Sequence, residues 1–402
     1  MKTSLLLSLA NQAIAAGNPC VFTDIKARSG RASYTSHYYR PGRDNLFNLA
    51  DKRCVWWRID REFQNPLMAL ALARRLIPEK KNSVPYFIEN SRYVLRHAFS
   101  DLGLSVPELM HAINYPGRPS TGLYARLENG PYEELVTNGE VKLWLIGNLK
   151  YALDSLSLLP TEGREFSAFD WASQGINRTG HVFLSSSRNN WVAQQDLQGI
   201  LLDLLFVNIQ TYPGPGFMFL DEMGIFKSEE LEPALSVQRD SGVPIILAFQ
   251  SFSQIEEGYG QAKKWSILSA PETLIILRMR GKDAVDAQDL ISAGVDVERI
   301  RESKSAHLLE HHRHHNYSSE RATIKPVPAG VIQNKKPGHG YLVQPERITP
   351  VRLRHRAAKI NQPGFVPREW PAYVANSSVP QVHGRRYPPK RKLTLESPTN
   401  IP

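Results

Sequence analysis

Apolar positions along this chain repeat with two periods, helical and alternating, and the two come in blocks. Leu6, Leu9, Ala10, Ala13 and Ile14 share one face of a helical period, and Gly17, Asn18 and Pro19 stop it. "CVFTD" then predicts a short buried strand ending at Asp24, and "DNLFNL" (44–49) predicts a second. Over 61–159 the period is helical in "NPLMALALARRLI", "YFIENSRYVLRHAFSDL", "VPELMHAIN" and "EVKLWLIGNLKYALDSLSLL", with loops such as "NYPGRPSTG" between. Alternation of strand and helix returns at "HVFLSSS" (181–187). It continues through a helix over "QDLQGILLDLLFVNI", the strand "FMFLD", a helix over about 227–239 and the strand "VPIILAF". A helix from about Ser253, the strand "ETLIILRM" and a helix over "KDAVDAQDLISAG" complete the series. Such alternation predicts a parallel sheet covered on both faces, so the all-α block is an insertion into an α/β domain. "HGYLV" and "ITPVRLR" supply late strands. After about residue 360 the chain is rich in Pro and basic residues without a period, which predicts a disordered tail.

Composition changes this picture little. At 402 residues the chain has room for two domains, or for one large domain with an insertion. Cys20 and Cys54 make no disulfide framework and suit a reduced, intracellular setting. The net charge of +10 predicts an acidic partner, a nucleic acid or an anionic membrane face. Much of the excess lies in residues 351–402, where Glu369 and Glu396 are the only acids. No apolar run approaches the roughly 20 residues that span a bilayer. The opening "MKTSLLLSLANQAIAAG" has two readings. Its A-x-A site at Ala13–Ala15 fits a secretory signal, which would make this a secreted α/β protein; its period fits an amphipathic helix.

Candidate chemistry sits at strand ends. In an open parallel sheet, ligands bind outside the carboxyl ends of the strands. "FMFLDE" ends there in Asp221 and Glu222, as a Walker B strand does: the Asp serves Mg²⁺ and the Glu orients the attacking water. Taken alone, two solvated acids explain the pattern as well. The following strand ends in Gln250, suited to sensing a γ-phosphate or, more simply, to capping the next helix, which Ser251 also suits. "HVFLSSSR" ends another strand in a polar cluster. Lys2 and Thr3 stand directly before the first helix, where a P-loop places its phosphate-binding Lys and Mg²⁺-binding hydroxyl. Met1 stands where the last loop glycine would be, and the glycine loop does not precede it.

Taken in order, these stretches resemble the cytoplasmic part of type IV secretion coupling proteins of the TraD/TrwB kind. The likeness is carried by "LLLSLANQAIAAGNPCVFTD", "PGRDNLFNLADKRCVWW", "FSAFDW", "GHVFLSSS", "FMFLDEM", "ILAFQSFSQIEEGYG" and "VIQNKKPGHGYLVQPERITPVRLR", over roughly residues 3–355. The resemblance implies a RecA-like P-loop NTPase fold, α/β, with its nucleotide-binding domain at 1–58 and 166–355. An all-α insertion domain would occupy 59–165, and a Pro/basic-rich tail 356–402. It implies an ATP-driven DNA translocase that works as a homo-hexamer at the cytoplasmic face of the bacterial inner membrane. Such a motor delivers relaxase-bound single-stranded DNA to the channel of a type IV secretion system. By position, Lys2 and Thr3 would bind nucleotide, Thr3 and Asp221 would serve Mg²⁺, and Glu222 and Gln250 would be catalytic. Arg239, in "SVQRDSG", would reach a neighbour's nucleotide, though an Arg favoured by a helix end explains it equally. Two departures stand out: the family's transmembrane helices and the glycine loop. They fit a fragment of a longer product, or a truncated or misassigned gene. The alternative function is a catalytically impaired remnant that binds DNA or partners without turning over ATP.

Other signals have plainer readings. His307, His311, His312, His314 and His315 suit a solvated loop better than a metal site. The basic tail, with Tyr387, suits either phosphate contact and base stacking or simple solubility. "CVWW" (54–57) reads as core aromatics.

Overall fold

The structure, a computed structural model, describes residues 2–27, 32–79, 84–128, 130–187, 191–226, 228–292, 297–305, 316–345, 347–355 and 359–369. The chain starts with α1 (Lys2–Ala15), β1 (Cys20–Asp24), α2 (Tyr34–Tyr38), β2 (Asn45–Phe47) and β3 (Trp56–Trp57). A helical block follows: α3 (Pro66–Leu76), α4 (Pro85–Ser100), α5 (Val106–Asn114), α6 (Leu123–Leu127), α7 (Glu133–Thr137) and α8 (Gly139–Asp154). Then come β4 (Glu165–Phe166), α9 (Ala168–Ser173), β5 (Val182–Ser185), α10 (Trp191–Thr211), β6 (Phe217–Asp221), α11 (Leu231–Val237) and β7 (Ile245–Ala248). The last part holds α12 (Phe252–Tyr259), α13 (Gln261–Ser269), β8 (Leu274–Leu277), α14 (Lys282–Ser292), β9 (Val297–Ser305), β10 (Asn316–Ile324), α15 (Ala329–Gln333), β11 (His339–Gln344) and β12 (Arg347–Arg352).

The main sheet has five strands in the order β2-β5-β1-β6-β7, with every pairing parallel. Alternation along each strand sends its residues into two cores. On one face Phe22 lies opposite Phe183 and Phe219, the rings stacked at 5.0 and 5.4 Å. Leu6, Leu7, Ala10 and Ala13 of α1 cover that aromatic row. On the other, Val21, Leu184, Met218 and Leu220 join Leu197, Leu201 and Leu205 of α10. Burying each such side chain contributes roughly 1.5–3 kcal/mol. Helix α1 ends in a Schellman turn: Asn18 N–H donates to the Ala13 carbonyl at 3.1 Å and Gly17 N–H to Ile14 at 3.0 Å, with Gly17 at φ 82°. Pro19 then starts the turn into β1. Because α1 leads straight into β1 and packs on the same sheet, it runs back along it, and its amino end arrives at the strands' carboxyl edge.

The helical block leaves and rejoins this part at one place. β3 and β4 pair in parallel, Trp56 beside Glu165 and Trp57 beside Phe166. Trp57 is buried edge-on against Phe47. Glu62, also buried, clamps the junction, accepting from Trp57 Nε1 at 2.9 Å, Ala168 N–H at 2.6 Å and Phe169 N–H at 3.1 Å. Burial pushes its carboxyl up to about 7 despite these donors.

One local expectation is corrected, and two features were not anticipated. β8 does not extend the parallel sheet; it pairs antiparallel with β11, which pairs with β12, in a separate three-stranded sheet. An apolar run identifies a buried strand but not its direction. The helix from Ser253 is two helices, broken at Gly260, which has φ 84°. β9 and β10 form an antiparallel pair that the polar sequence did not announce. The histidine-rich stretch, Tyr387 and the segment from 370 onward lie outside the described residues.

Candidate nucleotide site

β6 lies between β1 and β7, so three strand ends meet at one edge. Asp221 closes β6 and Glu222 follows it at φ 59°, left-handed for a non-glycine residue. That conformation costs about 1–3 kcal/mol and persists only where the surroundings enforce it. Lys2 Nζ, on the first turn of α1, lies 2.8 Å from Asp221 Oδ1 and 3.0 Å from Glu222 Oε1. Gln250 Nε2 donates to Glu222 Oε1 at 2.7 Å. Glu222 N–H donates to Asp221 Oδ1 at 3.0 Å, and Thr23 Oγ1 to the Asp221 carbonyl at 2.8 Å. The acid side chains are 4% and 0% exposed, which excludes two solvated acids at a strand end. Burial alone would raise the Glu222 carboxyl, but Gln250, Lys26 and Lys2 more than offset it and hold it below the usual carboxylate range. Glu222 Oε2 is buried with no hydrogen-bond partner among the described residues.

The segment after Gln250 locks onto the turn that carries the acids. Ser251 takes the capping role, its Oγ accepting from Gln254 N–H at 3.3 Å, so the Gln250 side chain is left for Glu222. A Cβ on Gly224 would meet Gln254 Cβ at 2.7 Å, and one on Gly258 would meet the Gly224 carbonyl at 2.8 Å. Only glycines allow the turn and α12 to approach this closely. Tyr259 Oη donates to the carbonyls of Met223 at 3.2 Å and Phe226 at 2.8 Å. The G-Y of "SFSQIEEGYG", Gly258 and Tyr259, thus fixes the distance between Gln250 and the acids.

Lys2, Asp221, Glu222 and Gln250 are therefore together. Thr3 is next along α1 and half-buried, with no hydrogen bond to either acid among the described residues. Arg239 belongs to a one-turn 3-10 segment, Gln238–Ser241, and its side chain lies outside the described residues. The serines after β5 are engaged elsewhere: Ser186 Oγ accepts from Gln194 Nε2 and Ser185 Oγ from Thr35 Oγ1. Sequence reasoning missed Lys26, whose Nζ lies 2.8 Å from Glu222 Oε1 and 3.4 Å from Asp221 Oδ2. It also missed Asp24 as the anchor of that loop; this buried carboxylate accepts from Lys26 N–H and from Thr35 N–H and Oγ1. Burial raises the Asp24 carboxyl although these donors lower it. The available signal was "TDIK", a polar cluster ending the strand beside β6. A cavity of about 700 Å³ lies apart from these residues, against α3 and α10, with Arg75 and Asp203 in its wall.

This donor set fits a nucleotide with Mg²⁺. Two ammonium groups, one of them at the amino end of a helix, suit phosphate oxygens. Asp221 offers a hard oxygen donor, and the unpartnered Glu222 Oε2 offers an acceptor. Among the described residues no three His, Cys, Asp or Glu side chains form a ready-made cage. Mg²⁺ does not need one, since it is usually held by one or two carboxylates with water and phosphate.

A parallel sheet with buried acids at its carboxyl edge, facing a lysine at the start of the first helix, defines a P-loop NTPase fold of the RecA-like kind. The particular family is also clear: the model for the type IV secretion-system coupling protein DNA-binding domain matches residues 2–355, and the chain belongs to that family. It is 24% identical over 297 residues to the coupling protein TraD of Escherichia coli (strain K12), covering 69% of this chain and 40% of that protein. The chain thus spans less than half the length of that relative. The structure resembles the bacterial conjugative coupling protein TrwBdeltaN70 in its unbound monoclinic form, with TM-score 0.69 and 21% identity over 90% of this chain and 83% of that one. It resembles TrwB in complex with ADP and Mg²⁺ with TM-score 0.68 and 21% identity over 91% and 85% of the two chains. For TrwB with a non-hydrolysable ATP analogue, ADPNP, the values are 0.69 and 20%, over 92% and 86%. At this identity the likeness is one of fold. Among the described residues no helix is long and apolar enough to cross a membrane.

Proposed function

We propose that this chain is the motor part of a conjugative coupling protein, binding ATP with Mg²⁺ and using its hydrolysis to move single-stranded DNA. The observation that carries the reading is the convergence of Lys2, Asp221, Glu222 and Gln250 at one sheet edge, from segments far apart in sequence. Lys2 binds phosphate, and Asp221 with Thr3 would hold Mg²⁺. Glu222, fixed through Oε1, uses Oε2 to accept a proton from water. Gln250 ties that carboxylate to the next strand, so a change at the nucleotide reaches α12. Bound Mg²⁺ would supply charge neutralisation at the phosphates. The net charge of +10 supports contact with a nucleic-acid backbone. Family membership supports the further reading: a hexameric ring at the cytoplasmic face of the inner membrane, receiving DNA with its relaxase and passing it to channel proteins. Arg239 is the residue proposed to act on a neighbour's nucleotide in that ring.

Calorimetry with ATP, ADP and Mg²⁺, followed by hydrolysis with and without single-stranded DNA, tests this. The expected result is binding that Asp221→Asn weakens and hydrolysis that DNA stimulates. Failure to bind either nucleotide ends the reading. Binding without turnover, both here and with a glycine loop added before Lys2, would instead identify a remnant that holds DNA or partners.

A further inference from the structure

One cation in the site has no role so far. Lys26 comes from the loop after β1, not from α1, and its ammonium contacts both acids. Two carboxylates are thus balanced by two ammonium groups, from Lys2 and Lys26. That balance cannot survive entry of Mg²⁺ at Asp221. Like charges this close repel strongly at a partly buried site, and a divalent ion doubles the repulsion of a monovalent one. Both ammonium groups must then find other anions, and incoming phosphate groups are the anions that accompany the metal.

Where Lys26 goes follows from what surrounds it. Lys26 follows β1 and Gln250 follows β7, so their strands flank β6, and both side chains reach Glu222 Oε1. Its side chain is 47% exposed, which leaves it room to swing. Its backbone is held, because Asp24 Oδ1 accepts from Lys26 N–H while Asp24 Oδ2 is tied to Thr35. A fixed base with a free tip keeps the ammonium close to Asp221 and Glu222. We propose that Lys26 is a second phosphate-binding residue, which leaves Asp221 and Glu222 for the terminal phosphate of a bound nucleoside triphosphate and so distinguishes triphosphate from diphosphate. This rests on the nucleotide reading of the same site.

The test is equilibrium binding, not turnover. The parent chain, Lys26→Met, Lys26→Gln and Lys26→Arg are titrated with ADPNP and with ADP, each with Mg²⁺. A lost charged contact to phosphate should weaken ADPNP roughly ten- to hundredfold in Lys26→Met and Lys26→Gln. ADP affinity should stay nearly unchanged, which also shows that the variants are folded, and Lys26→Arg should keep most of the ADPNP affinity. Equal weakening of both nucleotides, or of neither, overturns the role given to Lys26 while leaving the nucleotide site intact. A parent chain that binds neither nucleotide defeats the nucleotide reading and this inference with it.

Discussion

Two clusters of paired charge are buried in this chain, and one is nearly the inverse of the other. Around Lys264 the cation is enclosed: its side chain is 2% exposed, 2.6 Å from Asp286 Oδ2 and 3.0 Å from Glu256 Oε2, and both acids reach water. Around Asp221 and Glu222 the anions are enclosed together with the Lys2 ammonium, and the second cation, Lys26, reaches water. The first cluster comes from successive helices, α12, α13 and α14, and its charges are met within the fold. The second draws on α1, the loops after β1 and β7, and the end of β6. It keeps a left-handed Glu222 and a partnerless Oε2. A buried cation between fixed acids fastens helices together. Buried anions under an exposed cation suit a receptor, because the outer charge can be exchanged without unfolding anything.

That contrast can be broken most directly at Glu222. Glu222→Gln should lower ATP turnover by about 10²–10⁴ in kcat, the usual worth of a general base. Its unfolding free energy in denaturant titrations should fall by no more than about 1 kcal/mol, since Lys26 can turn to water. A marked loss of stability would make this cluster structural too. Lys264→Met should do the reverse, costing about 3 kcal/mol of stability, the low end for a broken buried pair because both acids reach water. Nucleotide affinity, measured below the unfolding transition, should not change. Gly224→Ala joins the two effects, since its Cβ would collide with Gln254. Denaturation should show a loss of about 1–3 kcal/mol from overpacking, and turnover should fall as Gln250 shifts away from Glu222. The effect at Glu62 is confined to a pH window, because burial raises its carboxyl to about 7. A raised folded-state value gives stability that is complete below the unfolded value, near 4.5, and is lost as pH rises through about 7. Between those limits the parent should lose up to about 1.4 kcal/mol per pH unit relative to Glu62→Gln; parallel curves would show that Glu62 does not titrate there.

The receptor was legible in the sequence where apolar runs ended in polar groups. Asp221, Glu222 and Gln250 each end or follow a short buried strand, and Lys2 precedes a helix. Lys26 was not legible, because a lysine after a strand is ordinarily a solvated residue and Asp221 lies 195 positions away. The pairing of β8 with β11 was hidden for another reason: "ETLIILRM" suits a buried strand in either direction, and only its partner decides. Gly260 sits within a stretch whose apolar period hardly falters, so its helix break came from backbone conformation and not from patterning.

The side-by-side strands at the root of the helical block carry an evolutionary consequence. Because the chain departs at Trp56–Trp57 and returns at Glu165–Phe166, next to its point of departure, the closure cost that the block imposes depends only weakly on its length. A lineage can lengthen, shorten or exchange this cassette without altering the spacing of the sheet it is grafted onto.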